Sequence, residues 1–439
     1  MRGTIQGGGW LVWLVAAVLM NAAPAAALKI LVVGDSMSEE YVFEVPFSAP
    51  DSNPLIANTP NWIEILAAHR GTEVSPGSYN SALLSYPDLR NGGYKYNYGV
   101  PSFRTTDWLG VINLTPWDLI PGDPLVLLRW STRTALVGHL DEVDAVVIFL
   151  GGNDLKSNYT GVFHDPEPPA LLAQVVVNLA EIHDFIRSKA PLMPIIVATV
   201  PNVGATPEVA SKYNDPARLV VARARVAQMN AELVAMATAR GATVARTDQL
   251  TDRVFDEVPF HLNGTVFAIP PDPENPPHAV FCKDGFHPAT VAQALLADIL
   301  LDALNRATGR SIPRLTNREI LGEVLGLDPD QPYLDWVGPA GGFTADPDGD
   351  GLPNLAEYLL GSPPLMAGNP MTFGDDGLLR FALSTEGTRF ATVAVEESTA
   401  LAGWQPVPEW RIEVQPDGWR VLPSGAARNF YRLAVTPQP

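Results

Sequence analysis

The chain is too long for a single compact core and too acidic for a protein that binds nucleic acid. Its 439 residues predict two or three domains. Hydrophobic residues make up 46% and charged residues 18%, which is typical of a globular rather than a disordered protein. The formal net charge of -19 repels phosphate backbones and anionic lipids, so no nucleic-acid partner is expected, while neutral or cationic ligands stay open.

The first 27 residues have the layout of a signal peptide. Arg2 gives a basic start, an apolar run covers 10–20, and the small residues 25–27 suit cleavage. The run is short for a bilayer span, so we expect an exported bacterial protein with no membrane span after cleavage, an uncleaved anchor being the alternative. The lone Cys282 cannot form an internal disulfide, so burial must stabilise the fold.

From residue 28 to about 310, strand patterns alternate with helix patterns. Short apolar, β-branched runs typical of buried parallel strands cover 29–33, 144–150 and 195–200. Helical patterns cover 61–70, 170–189, 217–240 and 289–306. This alternation predicts a parallel sheet with helices on both faces, in which ligands bind at the carboxyl ends of the strands.

Four short segments carry candidate chemistry, and the first contains Ser36. It lies in 34–38 (GDSMS), directly after the first predicted strand, where we expect it to start the next helix. There the hydroxyl is accessible and the backbone N–H points outward with the positive end of the helix, which suits nucleophilic attack and anion stabilisation. An ordinary turn is the alternative, because Gly-Asp-Ser is a common turn sequence.

Gly99 and Asn153 are candidate hydrogen-bond donors to developing negative charge. Gly99, in 97–100 (NYGV), lets a backbone N–H approach a ligand without obstruction, although a plain turn glycine explains it equally. Asn153 follows the second predicted strand in 151–154 (GGND), and its side-chain amide can donate to an oxyanion. A strand-ending turn is the alternative for these four residues.

Asp284 and His287 form a candidate acid–base pair in 284–288 (DGFHP), just before the last predicted helix. Histidine suits a general base near neutral pH, and an aspartate three residues earlier can reach the imidazole and favour its charged form. Pro288 fits the first position of the helix. The alternative for His287 is a surface histidine at a helix start.

Together these segments resemble the SGNH, or GDSL, hydrolase family, which is named for a Ser, a Gly, an Asn and a His in four blocks. By this resemblance Ser36 is the nucleophile, His287 the base, and Asp284 its partner in the Asp-x-x-His spacing of the family. The N–H groups of Ser36 and Gly99 and the side chain of Asn153 would then form the oxyanion hole.

The resemblance covers about residues 28–310. It implies a flavodoxin-like α/β domain that hydrolyses carboxylic esters through an acyl-enzyme and needs no cofactor for catalysis. The stretch 100–103 (VPSF) departs from the family pattern, because it lacks the second small residue expected after Gly99. The lipase-type Gly-x-Ser-x-Gly elbow is also absent around Ser36.

A predicted linker over 311–362 carries a candidate calcium site in 346–357 (DPDGDGLPNLAE). The run matches an EF-hand-type loop with oxygen ligands at positions one, three, five, seven, nine and twelve. In that order the candidate ligands are Asp346, Asp348, Asp350, the Leu352 carbonyl, Asn354 and Glu357. Because the Gly- and Pro-rich run 338–343 predicts no entering helix, the loop resembles the dockerin or thrombospondin-type repeats of exported bacterial proteins. We expect a structural Ca²⁺, a solvated acidic turn being the alternative.

Residues 363–439 are predicted to form a small all-β module. Short alternating runs between Gly and Pro turns cover 378–384, 389–397, 410–415 and 429–435. The module resembles the small C-terminal modules of exported hydrolases from polysaccharide-degrading bacteria. Its Trp404, Trp410 and Trp419 suit either sugar stacking or a core, and we expect core aromatics.

The sequence therefore predicts an exported serine esterase acting on a small-molecule or glycan ester. The exported setting and the acidic surface favour a neutral ester, such as an acetylated glycan. Lipid esters and acyl thioesters are rivals within the same chemistry, and the run 41–47 (YVFEVPF) suits either an acyl chain or loop packing. A second class stays open, namely a non-catalytic carbohydrate-binding or cell-surface protein whose β module is the functional part.

Overall fold

The computed structural model describes residues 26–41, 59–120, 123–270, 278–416, 418–426 and 428–439. Two sequence predictions lie almost wholly outside these residues, namely the signal peptide 1–27 and the apolar run 41–47. Within the described ranges, every helix is too short or too polar to cross a membrane.

The strands are short and are numbered here in chain order. They are β1 (Leu28–Gly34), β2 (Val74–Ser75), β3 (Tyr79–Asn80), β4 (Gly93–Tyr94), β5 (Asn97–Gly99), β6 (Ala145–Phe149), β7 (Ile195–Ala198), β8 (Thr243–Ala245), β9 (Phe260–Leu262), β10 (Thr265–Phe267), β11 (Thr372–Phe373), β12 (Leu379–Phe381), β13 (Ala391–Ser398), β14 (Gln405–Pro406), β15 (Ile412–Gln415), β16 (Gly418–Val421) and β17 (Phe430–Pro437).

The α-helices are numbered in the same way. They are α1 (Trp62–His69), α2 (Thr105–Ile112), α3 (Pro124–His139), α4 (Gly152–His164), α5 (Ala170–Lys189), α6 (Pro207–Ala210), α7 (Pro216–Ala239), α8 (Asp248–Asp256), α9 (Thr290–Thr308), α10 (Asn317–Glu319), α11 (Gln331–Val337), α12 (Asn354–Leu360) and α13 (Thr385–Phe390). A π-helical turn covers Ile320–Val324, and 3₁₀ turns cover Pro116–Leu119, Val203–Ala205, Gly338–Ala340 and Glu409–Arg411. Pro288, expected at the first helical position of α9, instead forms an isolated bridge with Phe281.

The main sheet is parallel and has the strand order β2-β1-β6-β7-β8. β5 lies on the same side of β1 as β2, because it pairs with the carboxyl end of β1 while β2 pairs with its start. In the centre of the sheet, Val33 lies opposite Ile148 of β6. This is the flavodoxin-like order, so the predicted fold class is confirmed.

Helices cover both faces of the sheet, which explains why its central strands are almost wholly apolar. On one face Ile30 and Val32 of β1 pack with α1, α8 and α9. On the other face Leu31 and Val33 pack with α2, α4, α5 and α7. Successive side chains of β1 therefore pack into two separate hydrophobic layers, one on each face of the sheet. The carboxyl edge of the sheet, where ligands are expected, lies where both layers end.

The C-terminal part contains two small antiparallel sheets. Their strand orders are β11-β12-β16-β15 and β14-β13-β17. The four predicted runs are confirmed, since they overlap β12, β13, β15 and β17. The aromatic prediction is wrong for Trp410, whose side chain is 77% exposed, whereas Trp419 packs partly against the core beside Phe381. Trp410 lies in the 3₁₀ turn Glu409–Arg411 and not in a strand. Its side chain is therefore not on the core-facing side of a sheet.

The predicted linker 311–362 packs in two halves on two different cores. Its first half contributes Leu321 to the hydrophobic layer under α1 and α9, and Arg70 forms an ion pair with Glu319 at 2.6 Å. Its second half, α11 and α12, contributes fully buried residues such as Leu359 to the C-terminal core. The packing of the α/β part thus extends past residue 310, where the linker was expected to begin.

Candidate active site

Ser36 lies in a single tight turn at the carboxyl end of β1. The Ser38 N–H donates to the Asp35 carbonyl at 3.0 Å, and the Met37 N–H donates to the Asp35 carboxylate at 2.9 Å. Because the Asp35 side chain closes the turn locally, the expectation that Ser36 starts a helix is wrong. Gly34 leaves room for this turn, since a Cβ there would lie 2.7 Å from the Ser38 Cβ.

Side chains from three other segments hold this turn in place, and the sequence pattern did not reveal them. Asn61 and Asn97 both donate to the Ser38 carbonyl, at 3.0 and 2.7 Å. The Trp108 indole N–H donates to the Gly34 carbonyl at 3.0 Å. All three donors are buried, so the position of the serine turn is fixed from several directions.

His287 is presented by the loop 281–288 that precedes α9. The Cys282 N–H donates to the His287 carbonyl at 2.8 Å, which closes the loop. Gly285 has a φ of 68°, a left-handed conformation that lets the chain turn between Asp284 and His287. The loop therefore brings the aspartate carboxylate to the imidazole, as the three-residue spacing predicts.

Ser36, His287 and Asp284 form one continuous row of hydrogen bonds. The Ser36 Oγ lies 2.9 Å from the His287 Nε2, and the His287 Nδ1 is hydrogen-bonded to the Asp284 Oδ2. The remaining Asp284 oxygen accepts from the N–H groups of Phe286 and His287 at 2.9 and 3.0 Å. In this arrangement an imidazole can take the hydroxyl proton while a carboxylate fixes its tautomer.

The surroundings of this row keep the Asp284 carboxylate charged and the ring oriented. Burial opposes ionisation of Asp284, but the hydrogen bond and charge of His287, with two backbone N–H groups, lower its pKa below the usual value. Phe286 and Tyr41 contact the His287 ring edge-to-face, with centroids 5.3 and 5.7 Å away. An ionised Asp284 can stabilise an imidazolium held in this position.

Asn153 is placed by the sharp turn into α4. Gly151 has a φ of 114°, and a Cβ there would lie 2.7 Å from a methyl group of Val200, so glycine is required. The Asn153 Nδ2 donates to the Phe103 carbonyl at 3.1 Å. Asn153 and Ser36 line the same cavity, so the structure brings these two predicted site residues together.

Gly99 lies beside the serine turn, but its N–H already has a partner. The residue ends β5 opposite Gly34, and its N–H donates to the Asn97 Oδ1 at 3.1 Å. A Cβ at Gly99 would lie 2.5 Å from the backbone nitrogen of Glu39. Close packing against the serine turn is therefore one reason why this position needs glycine.

A second backbone donor follows in the turn after β5. Ser102 has a φ of 60°, the left-handed region that non-glycine residues seldom adopt. Its N–H has no hydrogen-bond partner in the part of the chain that the structure describes. The same turn contains Phe103, whose carbonyl accepts from Asn153. The sequence pattern does not single out Ser102, because nothing in its residue type signals a left-handed conformation.

Asp154 is a buried residue that joins the two sides of the site. It is 1% exposed, and its oxygens accept from the N–H and the hydroxyl of Thr105 at 2.9 and 2.7 Å. Asn178 donates to the same hydroxyl at 2.8 Å. Burial raises the pKa of Asp154. Since Asp154 adjoins Asn153 and Thr105 follows the turn of Ser102, this contact sets the spacing between the two segments.

An apolar cavity opens beside Ser36. It contains about 510 Å³ of empty space, part of which is open to solvent. Apart from Ser36 and its polar neighbours, the lining includes Met37, Leu150, Val203, Phe281, Phe286 and Pro288. Ser36 therefore faces a surface suited to an uncharged, largely apolar group.

The acidic loop 346–357 gathers three carboxylates in the C-terminal part. One oxygen from each of Asp346, Asp348 and Asp350 lies within 4.8 Å of the others. Two backbone N–H groups of the loop donate to Asp346 at 2.9 and 3.0 Å. The loop is thus wrapped around its own acidic side chains.

Glu357 is fully buried in α12, at the end of this loop. Among the described residues, neither its Oε2 nor the Asp348 Oδ2 has a hydrogen-bond partner. Burial, with repulsion from Asp348 and Asp350, raises the pKa of Glu357 to about 7. Oxygens of this kind are the ligands that Ca²⁺ prefers, so the residues present suit a hard cation.

Leu352 and Asn354 occupy the other two predicted ligand positions. The Leu352 N–H donates to Asp350 at 2.8 Å, and its side chain is buried in the C-terminal core. The Asn354 amide donates to the carbonyls of Ala340 and Gly342 at 3.0 and 3.3 Å, which ties the start of α12 to the preceding segment. The Asn354 Oδ1 has no hydrogen-bond partner among the described residues.

Comparison with known families gives one match over most of the α/β part. The family model described as GDSL-like Lipase/Acylhydrolase matches residues 30–300, which is more than half of the chain. The protein is therefore a carboxylic ester hydrolase, and it belongs to the GDSL-like lipase/acylhydrolase family, as the four motifs predict. No curated protein matches the sequence.

Several solved structures resemble the α/β part at low identity. A family 3 carbohydrate esterase from Clostridium thermocellum is 15% identical, with 64% of this chain and 99% of that chain covered and a TM-score of 0.32. Axe2, an acetylxylan esterase from Geobacillus stearothermophilus, is 17% identical, with 66% and 98% covered and a TM-score of 0.34. LAE5, an alpha/beta hydrolase enzyme from the metagenome of Lake Arreo in Spain, is 14% identical, with 65% and 98% covered and a TM-score of 0.35.

Proposed function

We propose that this esterase uses Ser36 as nucleophile, His287 as general base and Asp284 to orient the imidazole. The observation that carries the proposal is the 2.9 Å contact between the Ser36 Oγ and the His287 Nε2, which joins residues 251 positions apart. Such a contact lets the imidazole receive the serine proton directly. The partly buried Asp284 carboxylate on the opposite ring nitrogen then stabilises the imidazolium.

In the first half-reaction the Ser36 Oγ attacks the ester carbonyl carbon while His287 takes the hydroxyl proton. The carbonyl electron pair moves onto its oxygen and gives a tetrahedral oxyanion. When this intermediate collapses, the bond to the alcohol oxygen breaks and His287 donates its proton to the leaving alcohol. Water then attacks the acyl-enzyme with proton transfer to His287, and the carboxylic acid and the free Ser36 hydroxyl are released.

For the oxyanion hole we assign the Ser36 N–H and the Asn153 side chain. The Ser36 N–H has no hydrogen-bond partner within the described ranges. One hydrogen of the Asn153 amide is used by the Phe103 carbonyl, which fixes the amide and leaves the second hydrogen for the substrate. Two preorganised donors of this kind stabilise an oxyanion without reorganisation at the moment of reaction.

The third donor is a backbone N–H of the segment 99–102. Gly99 is the donor that the family resemblance implies, and to act it must exchange its hydrogen bond with Asn97 for one with the substrate. Ser102 offers an N–H without that cost, and its left-handed backbone is the kind of local strain found at functional sites. Gly99 stays our assignment from the resemblance, with Ser102 as the alternative.

Replacement of the nucleophile tests the catalytic assignment. In Ser36→Ala we expect the turnover of p-nitrophenyl acetate to fall on the order of 10³-fold or more. Ser157→Ala is a matched control, because Ser157 is exposed on α4, and it should retain wild-type turnover. Equal activity of the wild type and Ser36→Ala would refute the assignment. If neither is active and a fluorophosphonate does not label Ser36, the non-catalytic carbohydrate-binding alternative would replace it.

We further propose that the protein is exported and acts on a neutral ester. The support is the signal-like sequence of 1–27 and the net charge of -19. Glycan deacetylation is one reaction of this type, and lipid esters and thioesters are alternatives within the same mechanism. N-terminal sequencing of protein secreted by a bacterial host should find a start near residue 28, whereas a retained residue 1 would contradict cleavage.

We also propose that the loop 346–357 binds a structural Ca²⁺. The support is the pair of unpartnered carboxylate oxygens on Asp348 and the buried Glu357, beside the carboxylates of Asp346 and Asp350. The Leu352 carbonyl completes the set, and the Asn354 position would contribute through its free Oδ1 or through a water. Calorimetric titration of the EDTA-treated full chain should show one Ca²⁺ site, lost in Glu357→Gln and kept in the exposed control Glu386→Gln.

A further inference from the structure

A second apolar compartment lies behind the cavity at Ser36. It contains about 310 Å³ of empty space between α8 and α9. The residues that line this inner compartment alone are Thr247, Leu250, Val254, Val280, Ala292 and Leu296. The two compartments share the walls formed by Met37, Pro201, Thr251, Phe281 and Pro288. The two compartments therefore adjoin each other beside Ser36.

The inner compartment is lined mostly by apolar side chains. Its two polar lining residues are Thr247 and Thr251, and both hydroxyls are already used. The Thr247 hydroxyl donates to the Thr199 carbonyl, and the Thr251 hydroxyl donates to the Asp248 carbonyl at 2.8 Å. Neither hydroxyl therefore has a hydrogen left to donate to a ligand. A sugar hydroxyl placed there would lose its hydrogen bonds to water without replacement, which is unfavourable.

Part of the inner compartment is open to solvent. Its wall includes buried side chains, since Leu250 is 6% exposed, Ala292 is 2% exposed and Leu296 is 1% exposed. In the acyl-enzyme mechanism the alcohol must leave early, while the acyl group stays bonded to Ser36 until water arrives. A compartment lined by buried apolar side chains suits the group that stays. Met37 lies at the junction, and its unbranched side chain can adapt to a chain passing it.

We propose that the two compartments form one acyl slot, and that the acyl group of the preferred ester is an alkyl chain longer than acetyl. The inference rests on the proposed serine esterase mechanism and specifies its substrate. The covalent chemistry is unchanged, since the slot only holds the chain of the acyl-Ser36 ester. Under this proposal the expected substrate is an ester with a longer acyl chain, and preference for an acetylated glycan is the contrary result.

A series of p-nitrophenyl acetate, butyrate, hexanoate and octanoate tests the slot in the full-length protein. Each added methylene that enters the slot should raise kcat/KM about fourfold until the inner end is reached. A matching series of acetate esters with longer alcohols should show no comparable gain. A preference for acetate, or a gain that follows the alcohol instead, would overturn the proposal.

Variants of the inner compartment locate the effect. Ala292→Leu fills it and should lower the octanoate-to-acetate ratio of kcat/KM at least tenfold. Val254→Ala enlarges it and should move the optimum towards longer chains, which keeps the test valid if the first variant fails to fold. Ala307→Leu, on the same helix but outside the slot, is the size-matched control. Equal ratios in Ala292→Leu and Ala307→Leu would overturn the slot. Acetate hydrolysis that survives Ser36→Ala would instead overturn the underlying mechanism.

Discussion

The hydrogen-bonded row at Ser36 and the acidic loop 346–357 differ in how the protein compensates carboxylates that are partly or fully buried. At the row, the Asp284 carboxylate receives a hydrogen bond from His287 and two from backbone N–H groups, so its burial is compensated within the protein. In the loop, the buried Glu357 has an oxygen with no partner among the described residues and faces other carboxylates. The hydrogen-bonding groups of the first site are matched within the protein, whereas the second site leaves carboxylate oxygens without a partner among the described residues.

This difference decides how each site can be broken. The row at Ser36 should lose most activity when one of its own residues is changed, because every charge in it has a protein partner. The acidic loop should respond to a change in solution, such as removal of a cation or a change of pH.

Replacement of His287 removes the group that joins nucleophile and carboxylate. In His287→Ala we expect kcat for p-nitrophenyl acetate to fall on the order of 10⁴-fold or more, because no other base reaches the Ser36 Oγ in the described residues. His164→Ala, at an exposed histidine of α4, is the control. Turnover within tenfold of wild type in His287→Ala would rule out this histidine as the base.

Replacement of Asp284 should cost less, since the serine–histidine contact survives. In Asp284→Asn we expect kcat/KM to fall about 10²- to 10⁴-fold, because the amide cannot stabilise an imidazolium or enforce the tautomer. The loss of negative charge beside the ring should also shift the acidic limb of the kcat/KM profile to lower pH. A profile with an unchanged acidic limb would show that Asp284 does not act on the imidazole.

Cation removal should affect stability rather than chemistry. Because the folded-state pKa of Glu357 is about 7 against a usual 4.5, the metal-free folded state binds the extra proton between these values. Its free energy of unfolding should therefore fall by about 1–3 kcal/mol as pH rises from about 4.5 to 7, and then level off. Urea titration of the EDTA-treated protein measures this, and Glu357→Gln should flatten the dependence.

Added Ca²⁺ gives the complementary result. At pH 7.5, a concentration of about 100 times the dissociation constant should stabilise the C-terminal unfolding transition by about 2.7 kcal/mol. Esterase turnover at 25 °C should be the same with EDTA or Ca²⁺, because the loop contributes no residue to the row at Ser36. Loss of turnover with EDTA would mean that the two sites are coupled.

The smallest effect is expected at Asp154. Asp154→Asn replaces an oxygen that accepts from Thr105 with an N–H₂ group facing a donor, which should destabilise the protein by about 1–3 kcal/mol. Because this contact spaces Asn153 from the turn of Ser102, we expect kcat to fall about tenfold with little change in KM. An unchanged kcat in a destabilised variant would limit Asp154 to a structural role.

The sequence predicts those strands whose hydrophobic pattern extends over several consecutive residues. The buried runs that became β1, β6 and β7 contain consecutive β-branched residues, and the chemistry follows where they end. Ser36 and Asn153 were found because they directly follow such runs. Asp284 and His287 were found because their pairing is local, within one tight turn.

The remaining features depend on contacts that no local pattern records. β2 and β5 have two and three residues, too few for a periodicity. The contact of Asp154 with Thr105 joins residues 49 positions apart. The left-handed backbone of Ser102 is imposed by its surroundings, since serine has no preference for it. Tertiary packing set these features, and only the structure shows them.

The divided packing of the segment after α9 determines where this enzyme can be shortened. A chain that stopped at residue 310 would lose Leu321 and its neighbours from the layer under α9, and Arg70 would lose Glu319. The short stretch 327–330, between the π-helical turn and α11, contains no fully buried residue, although Leu327 packs partly against the layer under α9. A cut after this stretch would keep Leu321 and Glu319 on the esterase part of the chain and the acidic loop on the part with the β module.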